Sequence, residues 1–283
     1  MLSQIGKVNR YYDASFFDYH TMWTGRNDLA IHFGYYDRQV RFHSQALLNM
    51  NKALADRAGI TRKDCVLDAG CGYGGSAIWL AENIGCTVVG VNVVPFQIKR
   101  AARYAEKRGV SNLVSFIEAD YAETHLPDSS FTVVWGLESI VHAPDKAKLV
   151  HEAYRLLRTG GRIILAEYTL RETPALTNDE RSSLQPWLDG WAMPSLLEAG
   201  EYKLLLSNAG FKNVQVENIT NYVLPSLKRL ERLLTFGVPV GRFLSTIGLF
   251  SLEHLGNIEG SRTQSRALKK GLWQYSIITG EKC

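Results

Sequence analysis

Residues 65–75 read CVLDAGCGYGG, a short apolar segment that runs directly into a turn rich in glycine. The segment predicts a buried strand, and SAIWLAENI at residues 76–84 predicts the helix that follows it. Such a turn needs glycine because Cβ atoms would keep the backbone away from a bound molecule. Backbone amides at the start of the helix can then face an anionic group, such as a carboxylate or a phosphate. The stretch therefore predicts a small-molecule site at the end of a strand.

The residues around this turn alternate between short apolar strands and helices. We predict strands at 65–69, 87–91, 113–119, 131–136, 162–170, 213–220 and 272–282. We predict helices at 44–58, 76–84, 95–108, 146–158 and 196–210. Continuous Val, Ile and Leu strands separated by helices favour a parallel sheet that is covered on both faces. The predicted fold is α/β, a doubly wound, Rossmann-like and mostly parallel seven-stranded sheet.

Three segments lie outside this alternation. Residues 1–43 contain many aromatic residues, and residues 171–195 and 221–271 interrupt the order of strands and helices. Segments of this length inside a compact domain usually carry function. We therefore expect an N-terminal helical and aromatic lid at residues 1–58. The main domain is expected at residues 59–283, with inserted lid segments at about 171–195 and 221–271.

The composition of the 283 residues is that of an ordinary globular domain, with 46% hydrophobic and 21% charged residues. A net charge of +4 is too weak to indicate nucleic acid as a partner. No 18-residue stretch is both free of charge and strongly apolar, so we expect no membrane span. The four cysteines lack the paired spacing of a metal site. Because no apolar signal segment is evident, the chain is expected to be cytoplasmic.

Two classes of cofactor use a turn of this kind. Gly70, Gly72 and Gly75 satisfy the dinucleotide pattern G-x-G-x-x-G. A dinucleotide site also needs an acidic residue at the end of the second strand, where this sequence has Asn92. A nicotinamide-dependent oxidoreductase is therefore the less favoured interpretation. Residues 68–74 instead resemble the D-x-G-x-G-x-G turn of the class I methyltransferases, which bind S-adenosylmethionine.

Further segments resemble motifs of the same family. GVNVVPFQ at residues 90–97 resembles the second motif of the branch that contains the sterol and tocopherol methyltransferases. Similar matches are EADY at 118–121, LPDSSF at 126–131, WGLESIVHAPDK at 135–146, LLRTGG at 156–161 and HFGYY at 32–36. Thr159 stands where the family usually has proline. The resemblance is strong over residues 60–170, extends to residues 32–36, and implies that S-adenosylmethionine is the cofactor.

The resemblance also implies roles for individual residues in binding the methyl donor. Asn92 would bond the ribose hydroxyls with support from Gln97, and Asp120 would bond the adenine amino group. The N-terminal segment of the family folds over the donor and forms one wall of the substrate pocket. The donor-binding residues implied by the resemblance are Asp68, Ala69, Gly70, Gly72, Asn92, Val93, Gln97, Asp120, Tyr121, Tyr12 and Trp23.

Glu138 and His142 are the candidate catalytic residues. Both follow the fourth predicted strand, at the edge of the sheet where α/β proteins bind ligands. Methyl transfer to an alkene carbon leaves a carbocation, which aromatic faces favour and from which a base removes a proton. Glu138 would be that base, or else a solvated loop carboxylate or a partner of the cofactor amino group. His142 would share the work of Glu138 or have a structural role.

The resemblance, together with the aromatic residues at 1–43 and 171–195, implies a hydrophobic acceptor in specialised metabolism. The residues expected to contact it are His32, Tyr35, Trp187 and Trp191. The favoured reaction is C-methylation of an isoprenoid or prenylated compound through a carbocation, with or without cyclisation. The alternative is O- or N-methylation of a phenolic, sugar or amine natural product. Packing of the same rings as an ordinary lid is the simpler explanation of the aromatic segments.

Basic residues in the second insertion leave two interpretations open. Lys228, Arg229, Arg232 and Arg242 form either a solvated helix face or a site that recognises a diphosphate. A diphosphate acceptor could recruit Mg²⁺, and the sequence predicts no other metal site. The aromatic N-terminal segment could also pack on a second subunit, which would make the chain a homo-oligomer.

Overall fold

A computed structural model describes residues 3–18, 23, 29–246 and 252–283. Within these ranges, side chains are described except at residues 15–18, 236–246 and 252–255. Among the described residues, no helix is long and apolar enough to pass through a membrane. No group of three or more potential metal ligands from His, Cys, Asp and Glu occurs within those ranges.

One sheet runs through the centre of the molecule in the order β3-β2-β1-β4-β5-β8-β7. Strands β1 to β5 are parallel, β8 is antiparallel to both of its neighbours, and a two-residue β6 pairs with β5. This arrangement confirms the predicted doubly wound, mostly parallel sheet. The strands are β1 Cys65–Ala69, β2 Thr87–Asn92, β3 Val114–Glu118, β4 Phe131–Leu137, β5 Leu157–Leu170, β6 Leu197–Glu198, β7 Lys212–Asn218 and β8 Trp273–Glu281.

The helices cover the sheet and fill the three segments outside the alternation. The N-terminal segment contains α1 Gln4–Asp18 and α2 His43–Arg57. The helices of the main alternation are α3 Gly75–Asn83, α4 Pro95–Arg108, α5 Lys146–Leu156 and α8 Ala199–Asn208. The two insertions contain α6 Asn178–Ser183, α7 Gln185–Gly190, α9 Thr220–Thr246 and α10 Leu252–Lys269. The second insertion is therefore helical along almost all of its described length.

Helix boundaries follow local sequence signals. Helix α4 has Pro95 in its first turn, where the missing N–H costs nothing, and ends at Gly109 in the left-handed conformation. The Asp145 side chain accepts a hydrogen bond from the Lys148 N–H and so caps the start of α5. Strand β5 begins five residues before the predicted start because Leu157 already pairs with Phe131 of β4.

Alternate residues of β5 show how the sheet separates two apolar layers. Ile163 and Leu165 are fully buried with Tyr202 and Phe211 on the side of α5 and α8. Ile164 and Tyr168 are buried on the opposite side, with the aromatic residues of the N-terminal segment and the first insertion. This period of two is that of a strand whose faces are both covered. The second layer places aromatic rings beside the carboxyl end of β4.

Candidate active site

The turn after β1 has the backbone conformation for which glycine is suited. Gly70, Gly72 and Gly74 have φ angles of +90°, +52° and +79°. A Cβ atom on Gly70 would lie 2.4 Å from the Cβ of Ser139 in the loop after β4. The N–H of Gly70 also donates to the Val91 carbonyl at 2.9 Å. Glycine at position 70 therefore lets the loops after β1 and β4 come together.

A cavity of about 330 Å³ opens at the carboxyl ends of β1, β2 and β4, and we call it the glycine-turn cavity. This is the edge where open α/β sheets bind their ligands. Nine of the eleven residues predicted to bind the donor line it, namely Asp68, Gly70, Gly72, Asn92, Val93, Gln97, Asp120, Tyr121 and Tyr12. Ala69 does not line this cavity, because its carbonyl is turned to the Ser139 hydroxyl and accepts its hydrogen bond.

Asp68 provides a test of what the glycine-turn cavity can hold. The side chain is only 3% exposed, and its Oδ2 atom makes no hydrogen bond to any described residue. Burial raises the pKa of Asp68 to about 7. A buried carboxylate oxygen without a hydrogen-bond partner is unfavourable, and a cationic group of a ligand would supply that partner. The position therefore fits the amino group of a zwitterionic molecule such as S-adenosylmethionine.

The other predicted donor contacts form an ordered polar rim. The Asn92 Nδ2 donates to Gln97 Oε1 at 2.7 Å, and the Val93 N–H donates to Asn92 Oδ1 at 2.9 Å. Asp120 accepts the N–H of Ala122 through Oδ1 at 2.8 Å. These contacts fix the side-chain oxygens of Asn92 and Asp120 at the cavity wall and leave them able to accept further hydrogen bonds.

A second cavity of about 120 Å³ lies beside the first and is lined mainly by aromatic and aliphatic side chains. We call it the ring-lined cavity. Its aromatic residues are Tyr11, Tyr12, Trp23, Phe33, Tyr168 and Trp191. Tyr12, Ile31, Glu138 and His142 line both cavities. The two cavities therefore meet at the loop that follows β4, where both predicted catalytic residues lie.

Glu138 is held at this junction by three hydrogen-bond donors. Its Oε1 accepts the Phe33 N–H at 2.6 Å and the Tyr275 hydroxyl at 2.7 Å, and its Oε2 accepts the Tyr168 hydroxyl. The backbone φ of Glu138 is +51°, a conformation that residues other than glycine seldom adopt. Burial raises the pKa of Glu138 to about 7. The carboxyl group can therefore exchange a proton near neutral pH.

His142 is the second polar side chain at the junction. Burial lowers its pKa to about 4, so the ring is neutral at pH 7. Its Nδ1 lies 3.3 Å from the Ala192 carbonyl, which can only accept, so we assign the proton to Nδ1. Its Nε2, 3.2 Å from the Tyr12 hydroxyl, then accepts a hydrogen bond from Tyr12. Nε2 is thus a neutral imidazole base on the wall of both cavities.

Helix α1 is attached across this junction. The Gln4 Nε2 donates to the Ala192 carbonyl at 2.7 Å and to the His142 carbonyl at 3.3 Å. Lys146 joins the same two loops from the other side, since its Nζ donates to the carbonyls of Ala143 and Ser195, each at 3.1 Å. The N-terminal segment, the loop after β4 and the first insertion therefore enclose the site together.

The structure places the four predicted acceptor residues in different surroundings. Trp191 lines the ring-lined cavity, whereas His32 lines the glycine-turn cavity. Tyr35 lines neither, because its ring stacks on Tyr222 with the centroids 4.4 Å apart. Trp187 lines neither and is fully buried, packed between Tyr168 and Trp273. Tyr35 and Trp187 are thus packing residues in this structure, which corrects their expected place in the acceptor pocket.

One further expectation needs correction on the same geometric grounds, and one of two open interpretations gains no support from the cavity. Trp23, expected among the donor residues, lines the ring-lined cavity and donates from Nε1 to the His32 carbonyl at 3.0 Å. Lys228, Arg229 and Arg232 do not line the ring-lined cavity, which receives Leu230, Leu233 and Leu234 from the same helix. The side chain of Arg242 lies outside the described residues.

Sequence reasoning missed Tyr168, Tyr275 and Phe33, which bind the Glu138 carboxyl group. Tyr168 and Tyr275 are directly paired across β5 and β8, so both hydroxyls come from one place in the sheet. Each strand has its tyrosine on the face that carries buried aromatic residues. The signal in the sequence is this alternation, but it becomes informative only when the pairing of β5 with β8 is known.

Comparisons with known proteins agree with this geometry. The family described as "Methyltransferase domain" matches residues 67–165. The 27-O-demethylrifamycin SV methyltransferase of Amycolatopsis mediterranei is 32% identical over 220 residues, which are 78% of this chain and 79% of that protein. The tocopherol O-methyltransferase of Arabidopsis thaliana is 30% identical over a match that includes 89% of this chain and 76% of that protein. The sterol 24-C-methyltransferase erg6 of Aspergillus fumigatus is 32% identical over 193 residues. These residues are 68% of this chain and 51% of that longer protein.

Solved structures show the same fold at lower sequence identity. The [4+2]-cyclase SpnF has a TM-score of 0.80 at 20% identity and covers 99% of this chain and 97% of its own. The geranyl diphosphate C-methyltransferase from Streptomyces coelicolor A3(2) has a TM-score of 0.72 at 18% identity. The match covers 100% of this chain and 99% of that protein. The family match and the rifamycin and tocopherol relatives define the class. Together with the glycine turn and its cavity, they show that the chain belongs to the class I S-adenosylmethionine-dependent methyltransferases.

Proposed function

We propose that this enzyme methylates an uncharged, largely apolar small molecule that binds in the ring-lined cavity. The observation that carries the proposal is the junction at Tyr12, Ile31, Glu138 and His142, where this cavity meets the glycine-turn cavity. Alignment of a nucleophile with the activated methyl group, with water excluded, accounts for most of such catalysis. The cofactor supplies that methyl group as a sulfonium.

The residues of the glycine-turn cavity would hold the donor in the way the family resemblance suggests. Asp68 would pair with the amino group, for which its unpartnered Oδ2 is suited. Asn92, supported by Gln97, would accept the ribose hydroxyls, and Asp120 would accept from the adenine amino group. Residues 1–58 would act as the lid, since Gln4 and Tyr12 already attach α1 to the loops around the junction.

The lining of the ring-lined cavity supports the proposed acceptor class. Its described residues include no Lys or Arg, which argues against a diphosphate and for a neutral molecule. Its polar atoms, apart from those of Tyr, Trp, Glu138 and His142, belong to Asn257 and Ser261. Relatives are described as acting on sterols, tocopherol and geranyl diphosphate, which share apolar isoprenoid parts. An isoprenoid or prenylated acceptor of specialised metabolism therefore fits best.

C-methylation is the reaction that we favour. A carbocation formed on the acceptor would lie among the faces of the aromatic rings, each of which stabilises a cation by roughly 0.5–2 kcal/mol. The Glu138 carboxylate at the junction would take the neighbouring proton. Cyclisation of the cation before proton loss would need no further residue.

O-methylation is the second candidate, and the His142–Tyr12 pair favours it. His142 Nε2 is a neutral base that bonds a hydroxyl at 3.2 Å, so an acceptor hydroxyl in place of Tyr12 could lose its proton there. C-methylation retains the oxygen functions of the acceptor and changes its double bonds. O-methylation converts a hydroxyl into a methyl ether.

The test is product analysis with a trideuteromethyl donor and a panel of neutral prenylated phenols, prenylated indoles, sterols, simple phenols and amines, with geranyl diphosphate added with and without Mg²⁺. We expect a product three deuterium atoms richer from a neutral prenylated member. Labelling of geranyl diphosphate alone would overturn the assignment to neutral acceptors. Calorimetry provides the control for cofactor class. Binding of NADH without binding of S-adenosylhomocysteine would contradict the use of a methyl donor, on which the proposal depends.

A further inference from the structure

Glu167 is a second carboxylic acid near the junction, but it lines neither cavity. It lies in β5 beside Tyr168, and its side chain is fully buried at 0% exposure. Its Oε1 accepts the N–H of Ser139 at 3.0 Å and the N–H of Ile140 at 2.7 Å. The Glu167 side chain therefore contacts the backbone of the loop that carries Glu138.

The two N–H groups that Glu167 accepts belong to the residues directly after Glu138, which has an unusual backbone conformation. Glu138 has its φ of +51°, and its own N–H donates to the Ala166 carbonyl at 2.9 Å. The short helical turn Ile140–His142 begins immediately afterwards. The loop is thus fixed to β5 on both sides of Glu138, by Ala166 before it and by Glu167 after it. A left-handed residue other than glycine persists only where its surroundings determine it in this way.

We propose that Glu167 is the positioning residue for Glu138. By accepting the two amides, it maintains the left-handed turn that directs the Glu138 carboxyl group to the junction of the cavities. This inference rests on the proposed role of Glu138 in methyl transfer. The inference adds a requirement for activity beyond the residues that would contact the donor and the acceptor. This requirement is a buried hydrogen-bond acceptor behind the loop that carries Glu138.

The Glu167 oxygen can do this in its neutral form. Burial raises the pKa of Glu167 to about 8, so the group is mostly protonated at pH 7. The remaining oxygen, Oε2, has no hydrogen-bond partner among the described residues, which leaves room for the proton. The amide oxygen of glutamine would accept the same two N–H groups at the same place. The proposal therefore distinguishes Glu167→Gln, which keeps the acceptor, from Glu167→Leu, which removes it.

The first test compares kcat in these two variants and in a matched control. Glu152→Leu removes a carboxylate of α5 that also accepts a backbone N–H, that of Thr124 at 2.9 Å, and neither Glu152 nor Thr124 lines a cavity. We expect Glu167→Gln to keep kcat within about threefold and Glu167→Leu to lower it at least tenfold. We expect Glu152→Leu to lose thermal stability without losing kcat. Equal activity of Glu167→Leu and the native enzyme would overturn the proposal.

A double-mutant cycle separates positioning from general support of the structure. In a Glu138→Gln background, the Glu167→Leu change should cost less than threefold in kcat, because the group that it positions is already gone. The same tenfold loss in both backgrounds would show a merely structural role. If Glu167→Leu does not fold, Glu167→Asp, which withdraws the carboxyl group by one methylene, serves in the same cycle.

A measurement that needs no acceptor keeps the two proposals distinguishable. In protein labelled with ¹³C at the glutamate carboxyl carbon, the Glu138 signal is the one that Glu138→Gln removes. We expect it to titrate near pH 7 in the native enzyme and in Glu167→Gln, and at least one pH unit lower in Glu167→Leu or Glu167→Asp. An unchanged titration in these variants would overturn the positioning role, whatever the outcome of the acceptor panel.

Discussion

Two titratable residues whose pKa values are shifted in opposite directions lie where the cavities meet. Burial raises the pKa of Glu138 to about 7 and lowers that of His142 to about 4, because a site removed from water favours the neutral form of each group. Near pH 7 the imidazole is neutral and a large fraction of Glu138 is ionised. Both side chains can therefore accept a proton from a bound molecule, and the acceptor decides which one is needed.

Replacement of Glu138 tests the proposed base. Glu138→Gln keeps an acceptor for the Phe33 N–H but removes the basic oxygen, so we expect kcat to fall by roughly 10²–10⁴ while donor affinity stays within threefold. In the native enzyme kcat should rise with pH through about 7, as the carboxylate forms, and this rise should be absent from the variant. Steady-state kinetics between pH 5.5 and 9 measure both effects. The exposed Glu106→Gln on α4 is the control, and a normal kcat in Glu138→Gln would assign the proton transfer elsewhere.

Replacement of Asp68 tests the donor site. Asp68→Asn keeps the size of the side chain but removes the charge that would pair with the donor's amino group. A charged hydrogen bond contributes about 1.5–3 kcal/mol, so calorimetry should show a loss of affinity for S-adenosylhomocysteine of roughly ten- to a hundredfold. The exposed Asp179→Asn on α6 should bind normally. Unchanged affinity in Asp68→Asn would place the amino group at another residue.

At the scale of the elements, α1 is attached beside the site by both polar and apolar contacts. Gln4 bonds two carbonyls from two different loops, and the buried Val8 and Tyr11 provide the apolar contact. Gln4 thus joins α1 to the loop after β4 and to the first insertion. If α1 acts as the proposed lid, its closed position would depend on both of these loops.

Weakening this attachment should affect binding more than the chemical step. Gln4 lines the glycine-turn cavity, and Gln4→Ala removes two partly buried hydrogen bonds of about 1 kcal/mol each, so the KM for the donor should rise roughly five- to thirtyfold with kcat changed little. Limited proteolysis should cut the N-terminal segment faster. Lys7→Ala, an exposed position of the same helix, should alter neither measurement. An unchanged KM would mean that α1 does not act as a lid.

The elements also show what the sequence could and could not predict. The glycine turn and the polar ends of β1 to β3 are local in sequence, so Asp68, Asn92 and Asp120 could be placed before the structure was known. The contacts of Glu138 span 105 residues to Phe33 and 137 to Tyr275, and they depend on the pairing of β5 with β8. The directions of the Tyr35 and Trp187 rings depend on similar long-range packing. The number of aromatic residues in the sequence carries no information about such packing.

At the scale of the whole molecule, buried titratable groups link stability to pH. The raised pKa values of Asp68 and Glu138, about 7, and of Glu167, about 8, mean that the folded state retains protons that the unfolded chain has lost. Their contribution is complete below about pH 4 and is lost as the pH rises through 7 to 8. His32, His43 and His142 have pKa values lowered to about 4, so their contribution is complete above pH 6.5 and is lost on acidification.

We therefore expect the ligand-free enzyme to be most stable between about pH 5 and 6.5 and to lose thermal stability as the pH rises to 9. Each carboxyl group changes the free energy of unfolding by at most about 1.4 kcal/mol per pH unit. Thermal unfolding followed by circular dichroism across this range measures the slope. Asp68→Asn should flatten it, whereas Asp179→Asn should leave it unchanged. A Tm that rises steadily to pH 9 would contradict the assigned shifts.

The pairing of Tyr168 with Tyr275 also has a consequence for the order in which the protein matures on the ribosome. A nascent chain that has emerged as far as Gly271 contains the glycine turn, the whole rim of the donor site and Glu138 itself. It lacks β8, and with it the Tyr275 hydroxyl that donates to the carboxyl group and the strand that separates β5 from β7. Under the proposed mechanism, translation would produce the components of the donor site before the last part of the catalytic one. Methyl transfer would then become available only when the final strand enters the middle of a sheet whose other strands were made earlier.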